Sequence, residues 1–419
     1  MGSFAALLRD NRNYRWAWAG QIVSEVGDHF NTVAVLSLAL HATGKGAAVG
    51  GVMIARLVGG VAAAPIAGVL LDRLDRRKVM LASDLIRAVV AGLFVITVYY
   101  PSQPLLYALS AMLFFASPFF SAGRTAILPR ITAAHELHTA NALTQTTAWL
   151  TLSAGALVGG FSTAAFGYEV AFVVNALSFL FSAFCIWKLQ SPTGHFRAEG
   201  VEVQAHKAER KHFLHDLAES GTYIRSTPLI LGICIGVIGW ASGGGAAQIL
   251  FTLFGETVFN RGPAGMGILW GFAGVGLVLG GIVGHQLGNR LSYGQYLYAV
   301  GIGFFIHGLA YVGFSLASFW GSVAFITVSR TAMGANNVQN RTMVLRTVPD
   351  ALRGRVFTAM EAILNVTMLA SMALASVATE HYSPRTIGFV AGILSTLSGV
   401  PWMWMTLTGR MPQPREQQP

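Results

Sequence analysis

Charged residues are scarce in this chain. They make up 11% of its 419 residues, against roughly a quarter in an ordinary soluble domain. Hydrophobic residues make up 53%, and the mean hydropathy is +0.56. The apolar residues lie in runs of about 20, the length of helix that crosses a bilayer. This composition excludes a soluble enzyme. Because the runs are continuously apolar, it also argues against a β-barrel, whose strands alternate polar and apolar residues.

Cysteine is almost absent. Cys185 and Cys234 each lie inside an apolar run, which argues against a disulfide framework or a cysteine-based zinc site. Two histidine pairs have helical spacing but lack a third metal ligand, and no phosphate-binding glycine loop occurs. No nucleophile–base pair lies within the apolar runs. We therefore expect no enzyme activity, no metal and no cofactor, so that any energy must come from an ion or solute gradient.

The apolar runs predict an all-α membrane protein with twelve transmembrane helices. Their connections are short, with one polar exception that divides the chain into two pseudo-symmetric sets of six. The predicted spans are 15–40, 47–71, 79–100, 104–124, 139–165, 168–188, 227–254, 263–287, 294–315, 319–340, 356–380 and 385–408.

The polar exception sets the predicted domain boundaries. An N-terminal six-helix bundle covers 1–188, a cytoplasmic linker covers 189–226, a C-terminal six-helix bundle covers 227–408, and a cytoplasmic tail covers 409–419. The linker's end has apolar residues at helical spacing from Phe213 onward. That spacing predicts an amphipathic helix lying on the membrane surface.

Lysine and arginine predict the orientation of the chain. With the N-terminus in the cytoplasm, 22 of the 28 basic residues fall in cytoplasmic segments, three fall outside and three lie within spans. Basic residues concentrate on the cytoplasmic side of membrane proteins, so both termini are expected there. The same count explains the net charge of +10 without nucleic acid, which we do not expect as a partner.

The two sets of six spans repeat each other. Gly68, Leu74 and Arg77 after span 2 align with Gly281, Leu287 and Arg290 after span 8, at an offset of 213 residues. The loop after span 4, which begins at Arg124, resembles the one that begins at Arg341, at an offset of 217. Parallel six-span repeats are typical of transporters.

The loop after span 2 carries a family resemblance. Gly68-x-x-x-Asp72-Arg73-x-Asp75-Arg76-Arg77-Lys78 resembles the loop 2–3 signature of the major facilitator superfamily, with Asp75 in place of a second glycine. Further segments look like its bacterial exporter branch, which includes macrolide-efflux and enterobactin-exporter types. These segments are Asn13-Tyr14-Arg15, Gln21-x-x-Ser24-x-x-Gly27-Asp28, Asp84-x-x-Arg87-Ala88, Ala140-Asn141-Ala142-Leu143 and Val348-Pro349-x-x-x-Arg353-Gly354-Arg355-Val356-Phe357.

Two motifs take further meaning from the resemblance. The family implies that the loop residues Gly68, Asp72, Arg73, Arg76 and Arg77 form a conformational latch between alternating states. Asp72 is expected to face a helix N-terminus and to pair with Arg73 or Arg77; the alternative is a plain positive-inside loop. Span 5 holds Gly155, Gly159 and Gly160, similar to the antiporter motif of drug/proton exchangers, although Ala156 replaces its proline. Small residues at this spacing also let two helices pack closely.

Span 1 places two acids inside the membrane, where ionisable groups are costly and usually functional. Glu25 lies about 15 Å and Asp28 about 20 Å along the helix from Arg15. Arg56 on span 2 matches the depth of Asp28, which predicts an Asp28–Arg56 ion pair and leaves Glu25 to titrate. A carboxyl group in such a cavity can exchange protons. The alternative is a static pair that fixes the fold.

Spans 10 and 11 supply further candidates. Arg330 and Asn337 share a helical face that is expected to line the cavity and to bind an anionic group or balance Glu25. Glu361, early in span 11, is expected to pair with Arg124 or Arg341. Asp84 and Arg87 on span 3 are interpreted as a structural pair.

The leading hypothesis is a monomeric secondary transporter in the cell inner membrane. It would export a small amphipathic, drug-like compound by proton antiport and alternating access. A siderophore or lysolipid exporter of the same fold remains open, and so does a membrane sensor that transports nothing. The expected partners are the small-molecule cargo, protons and membrane lipids.

Overall fold

Helices make up nearly all of the structure. The computed structural model describes residues 4–191, 194–197, 213–288 and 290–413, and no strand occurs in those ranges. The predicted all-α membrane fold with twelve transmembrane helices is confirmed. The spans are Arg12–Thr43, Gly46–Arg73, Arg76–Tyr99, Gln103–Ile131, Leu137–Phe166, Tyr168–Trp187, Pro228–Leu253 continued by the π-helical turn Phe254–Val258, Gly262–Gly288, Tyr293–Leu316, Phe319–Thr347, Asp350–Ala378, and Pro384–Leu397 with Gly399–Leu407.

Within the described residues, two shorter helices accompany the spans. Phe4–Asp10 precedes span 1, and Phe213–Ser226 lies where the apolar spacing of the linker predicts a helix. Its predicted position on the membrane surface stays a prediction. Polar side chains begin several of the spans. Asn11, for example, caps span 1 by accepting a hydrogen bond of 2.9 Å from the Tyr14 amide, which satisfies a donor that the first helical turn leaves free.

Several helices extend beyond the predicted spans. Spans 4 and 10 each end seven residues later than predicted, at Ile131 and Thr347, and span 11 begins six residues earlier, at Asp350. Hydropathy marks only the part of a helix that crosses the hydrocarbon, whereas backbone hydrogen bonds continue the helix into water. Basic residues such as Arg124, which we placed in a loop, therefore lie inside helices.

Ten of the spans are long and apolar enough to cross a membrane by a length and hydropathy criterion applied to the described residues. Spans 1 and 10 do not meet it, because both carry polar and charged side chains along their length. Such residues are expensive within a bilayer and usually functional. These two spans are therefore the first place to look for a site.

The chain forms two compact units, Met1–Ala208 with Asn260–Gly271, and Glu209–Phe259 with Phe272–Pro419. In the first unit, span 1 packs against spans 5 and 6, and span 3 packs against spans 4 and 6. In the second unit, span 7 packs against spans 11 and 12, and span 9 packs against spans 10 and 12. Each of these span–span contacts in the first unit has a counterpart in the second unit between the spans numbered six higher, as a parallel repeat requires. The domain boundaries given above stay predictions.

Candidate functional site

Glu25 joins three spans of the first unit. Its Oε1 accepts a hydrogen bond of 2.9 Å from the Arg124 guanidinium of span 4 and one of 3.0 Å from the Gln21 amide. Its Oε2 accepts a bond of 2.7 Å from the Thr151 hydroxyl of span 5. About a fifth of the Glu25 and Arg124 side chains remains exposed. Arg124 is a partner that the sequence interpretation did not give to Glu25, and it reaches Glu25 because span 4 is longer than predicted. The role of Glu25 in proton coupling stays a prediction.

Asp28 lies at the edge of a second, more buried charge cluster. An Arg87 Nη1 lies 3.9 Å from its Oδ2, and the same guanidinium makes a short contact with Asp84 one turn away. Arg87 is also held between two aromatic rings, with its central carbon 4.3 Å from the Phe179 centroid and 4.6 Å from the Phe120 centroid. Asp84 and Arg87 are almost completely buried, whereas the Asp28 side chain is 36% exposed.

The predicted Asp28–Arg56 ion pair is wrong. Arg56 instead donates a hydrogen bond of 3.0 Å to the Thr32 hydroxyl, which itself bonds the Asp28 carbonyl oxygen. The Arg56 guanidinium lies 5.0 Å from the Phe114 ring centroid. The depth argument correctly brought spans 1 and 2 together at this level. The predicted partner was wrong by one helical turn, because Arg56 bonds to Thr32, which follows Asp28 by one turn on the same face of span 1.

The glycines of span 5 pack beside these acids. A Cβ on Gly155 would lie 2.9 Å from the Cβ of His29, and one on Gly159 would lie 2.9 Å from the Cα of Phe30. A Cβ on Gly160 would lie 2.7 Å from the Pro263 carbonyl oxygen, which belongs to the same unit. The first two glycines therefore hold span 5 against span 1 directly beside Asp28.

The loop between spans 2 and 3 is organised by Asp75. One oxygen of its carboxylate accepts hydrogen bonds from the Arg77 and Lys78 amides at the start of span 3. The other accepts one of 2.9 Å from the Phe196 amide, and the Arg76 amide donates to the Phe196 carbonyl oxygen at 3.3 Å. Asp75, which stands where the loop 2–3 signature has a second glycine, thus caps span 3 and ties the start of the linker to this loop.

The remaining loop residues take other partners than those predicted. Among the described residues, Asp72 forms no ion pair with Arg73 or Arg77. The Arg77 guanidinium instead donates to the Trp187 carbonyl oxygen, and that of Arg76 donates to the Ala126 carbonyl oxygen at 3.0 Å. Gly68 is half-buried in the last turns of span 2. The predicted Asp72 pairing is wrong, and the latch itself stays a prediction.

In the second unit, span 10 presents its polar residues in different ways. Arg330 is 8% exposed, and its central carbon lies 5.5 Å from the Phe251 ring centroid. Asn337, two turns later, is exposed. Asn336 and Asn340 are buried and hydrogen-bonded to span 9. A role for Arg330 and Asn337 in a cavity stays a prediction.

Glu361 does not form the predicted pairs. The Arg341 guanidinium lies over the Phe357 ring, 5.6 Å from its centroid, and Arg124 is bonded to Glu25. Glu361 is exposed on span 11. Its carboxylate forms no ion pair among the described residues.

The sequence interpretation missed the partners of Glu25. Thr151 carried no signal, since threonine is common in apolar spans. Arg124 carried a usable one: Ile127, Leu128 and Ile131 follow it at helical spacing, and all three are buried. That pattern would have extended span 4 and moved Arg124 from a loop into a helix.

Comparisons with known proteins agree with this architecture. The family model described as Major Facilitator Superfamily matches residues 17–360. The MFS-type transporter YfiS of Bacillus subtilis (strain 168) is 27% identical over 96% of this chain and 94% of its own length. A second relative from that strain, named "Putative bacilysin exporter BacE", is 25% identical over 84% of each chain.

Solved structures share the fold at low sequence identity. A bacterial homologue of the iron transporter ferroportin, in an inward-facing state, superposes with a TM-score of 0.72 at 15% identity, over 93% of this chain and 98% of that one. The nucleoside transporter NupG gives 0.69 at 13% identity, over 93% and 99%. The match of the family model over most of the chain identifies the protein as a multi-pass membrane transporter that belongs to the Major Facilitator Superfamily.

Proposed function

We propose that this protein exports a small amphipathic compound from the cytoplasm in exchange for protons. The observation that carries the proposal is the Glu25 carboxylate, which is embedded in span 1, partly exposed, and paired with Arg124 from another span. Ionisable residues inside membrane spans mark ion pathways and proton relays. A carboxylate that holds two spans together only while ionised can couple protonation to their movement.

The chemistry of the coupling follows from the donors around Glu25. Arg124, Gln21 and Thr151 all donate to its oxygens, so they complement a negative charge. Protonation removes that charge and replaces a charge-assisted bond to Arg124 with a weaker one. Span 1 then loses its strongest tie to span 4. The proton and the Arg124 contact compete for one carboxylate, so protonation can be linked to a movement of spans 1 and 4.

Export and cargo rest on separate support. One relative is named as an exporter, which supports the outward direction. Charges of both signs inside spans, at Glu25, Asp28, Arg56 and Arg330, suit an amphipathic or zwitterionic cargo. A siderophore or lysolipid carries such groups as well as a drug-like compound does, so all three classes belong in the test.

A cargo screen followed by a proton assay tests the proposal. The purified chain is first screened by thermal shift against antibiotics, siderophores and lysolipids. Compounds that stabilise it are then added to inside-out vesicles that hold a proton gradient and a pH-sensitive dye. We expect the cargo to release protons from the vesicles in proportion to its uptake. Uptake without proton release would overturn the antiport proposal, and vesicles without the protein control for leakage.

The proposed orientation places both termini in the cytoplasm of a bacterial cell, with the protein in the inner membrane. A cysteine at Lys45, between spans 1 and 2, should react with an impermeant maleimide in intact spheroplasts. One at Lys78, at the start of span 3, should react only after permeabilisation. Both positions are exposed, and the two native cysteines are buried, so background labelling should be low. Labelling of Lys78→Cys in intact spheroplasts would reverse the orientation.

We also propose that the protein acts as a monomer and that residues around the connection between spans 2 and 3 form a latch between transport states. Asp72 has no ion-pair partner among the described residues of its own unit, which leaves its carboxylate available for a contact made in only one transport state. Gly68 and Arg73 lie on either side of it at the end of span 2, and Arg76 and Arg77 begin span 3. Glu361 is also exposed and forms no ion pair in the described part of the chain. Glu361 is the second acid that we assign to such a state-dependent contact.

A further inference from the structure

A cavity lies in the cleft between spans 11 and 12, within the second unit. Both spans pack against span 7, whereas they scarcely contact each other among the described residues. The cavity has a volume of about 340 Å³. Small side chains leave this space open, namely Ala246 of span 7, Ala375 and Ala378 of span 11, and Ala391 of span 12. Its volume falls in the range of pockets that hold small-molecule ligands, so a ligand group can occupy it.

The polar groups at the inner end of the cavity are already hydrogen-bonded to the protein. The Ser371 hydroxyl donates to the Ser242 carbonyl oxygen at 2.6 Å and accepts from the Ala246 amide at 3.0 Å. The Ser242 hydroxyl donates to the Ile238 carbonyl oxygen at 2.7 Å. A cavity needs several polar partners to hold water, and an apolar cavity takes apolar ligands instead. The chemistry of this wall therefore selects hydrocarbon.

The open side of the cavity faces lipid. Leu374, Val390 and Leu394 line it and are exposed, Leu374 by 73%. Spans 11 and 12 are both long and apolar enough to cross a bilayer. Polar side chains mark the parts of such spans that face a water-filled space, and this part of the rim is apolar. The acyl chains of the bilayer therefore cover these residues, and the cavity opens directly into them.

The other end of the cavity is polar. Tyr382 and Thr386 line it beside the connection between spans 11 and 12, and the Tyr382 side chain is exposed. Tyrosine is enriched where a membrane meets water, because its ring is apolar and its hydroxyl is polar. From Thr386 to Leu394 the cavity follows span 12 for about 12 Å. A polar mouth and an apolar interior suit an amphiphile whose chain points toward the membrane centre.

We propose that this cavity binds one acyl chain of a membrane phospholipid, with the lipid headgroup beside Tyr382 and Thr386. The chain fills the space next to Ala246 and Ala375 and supplies the contacts that an empty cavity forfeits. In the proposed orientation the lipid belongs to the outer leaflet. The site goes beyond the proposed function, because the lipid is bound and not transported, and its binding needs no proton gradient.

Photo-crosslinking of the purified full-length protein in maltoside micelles tests the site. The probe is a phosphatidylcholine that carries a diazirine in the middle of one acyl chain. Trypsin cuts after Arg355, Arg385 and Arg410, so the walls formed by spans 11 and 12 fall on separate peptides. We expect labelling of both peptides to saturate at a low mole fraction of probe, and excess unlabelled phosphatidylcholine to remove it.

Ala378→Leu fills part of the cavity with its own side chain, and Ala373→Leu is the matched control. Ala373 is exposed on the same span and is not among the residues that line the cavity. Ala378→Leu should lower the labelling of both peptides about tenfold or more, because losing the contacts of about two methylene groups already weakens binding by that factor. Ala373→Leu should be labelled as the wild type is. Ala375→Leu, at the buried wall, repeats the test if Ala378→Leu does not fold.

Three results would overturn the proposal. Equal labelling of the wild type, the cavity variant and the control would assign the lipid to the general surface of the spans. Labelling that rises without saturation would mean the same. Labelling that a compound from the cargo screen removes, and excess phosphatidylcholine does not, would assign the cavity to the cargo. Each result leaves the proton-release test of the proposed function unaffected.

Discussion

Glu25→Gln is expected to abolish accumulation of cargo against its gradient while exchange down a gradient continues. Glutamine keeps the shape of the side chain and can still bond to Thr151 and Arg124, but it cannot release a proton. The measurement is cargo uptake into inside-out vesicles with and without an imposed proton gradient. In the variant, the gradient-driven part of uptake should fall to the level of vesicles without the protein.

Controls separate this effect from misfolding. Glu380→Gln changes an exposed carboxylate after span 11 and should leave uphill uptake intact. Arg124→Gln removes the partner of Glu25 and should uncouple transport as well, because Glu25 no longer changes partners on protonation. Normal uphill uptake by Glu25→Gln would move the coupling site elsewhere, with Asp28 and Glu361 the next acids to test.

Arg87→Met is expected to lower the free energy of unfolding by about 3–5 kcal/mol, the usual cost of removing one partner from a buried ion pair. The substitution leaves the Asp84 carboxylate, which is fully buried, without its cation. It also removes the planar group that lies between Phe120 and Phe179. Reversible denaturation of the purified protein in mixed micelles measures the change.

The double variant Asp84→Leu with Arg87→Met provides the decisive comparison. Replacing both members of a buried pair by apolar residues is often close to neutral, so most of the lost stability should return. Asp28→Asn should cost far less than Arg87→Met, because Asp28 is partly exposed and stands 3.9 Å from Arg87. If Asp28→Asn proves as destabilising as Arg87→Met, then Asp28 is the principal partner of that arginine.

Much of the fold follows from hydropathy and charge placement alone. Twelve apolar runs correctly predicted twelve helices, since a bilayer admits little other structure for a segment of that length. The helix ends were harder to predict. The extra turns of spans 4 and 10 carry basic residues, which the sequence interpretation assigned to cytoplasmic loops. Only the buried apolar residues after Arg124 indicate that span 4 continues.

The candidate site was predicted in part. The sequence placed Glu25 and Asp28 on one polar face of span 1, and their role in transport stays a prediction. The partners of these acids depend on how each helix is rotated about its own axis. Depth along the membrane normal gives no information about that rotation. Arg56 was placed at the right height and bonds to Thr32, whereas Arg87 was interpreted as structural and lies beside Asp28. Neighbouring helices must be packed before such partners can be distinguished.

Spans 4 and 10 extend by the same number of residues beyond their predicted ends, and this equal extension bears on the ancestry of the chain. Both helices end seven residues past their apolar runs, at Ile131 and Thr347, which are 216 residues apart. The two segments also share residues at an offset of 217, Arg124 with Arg341, Thr125 with Thr342 and Leu128 with Leu345, while their other positions differ. A gene duplication followed by sequence divergence accounts for that pattern. Related genes should therefore tolerate substitutions in these turns but rarely a deletion in one copy alone.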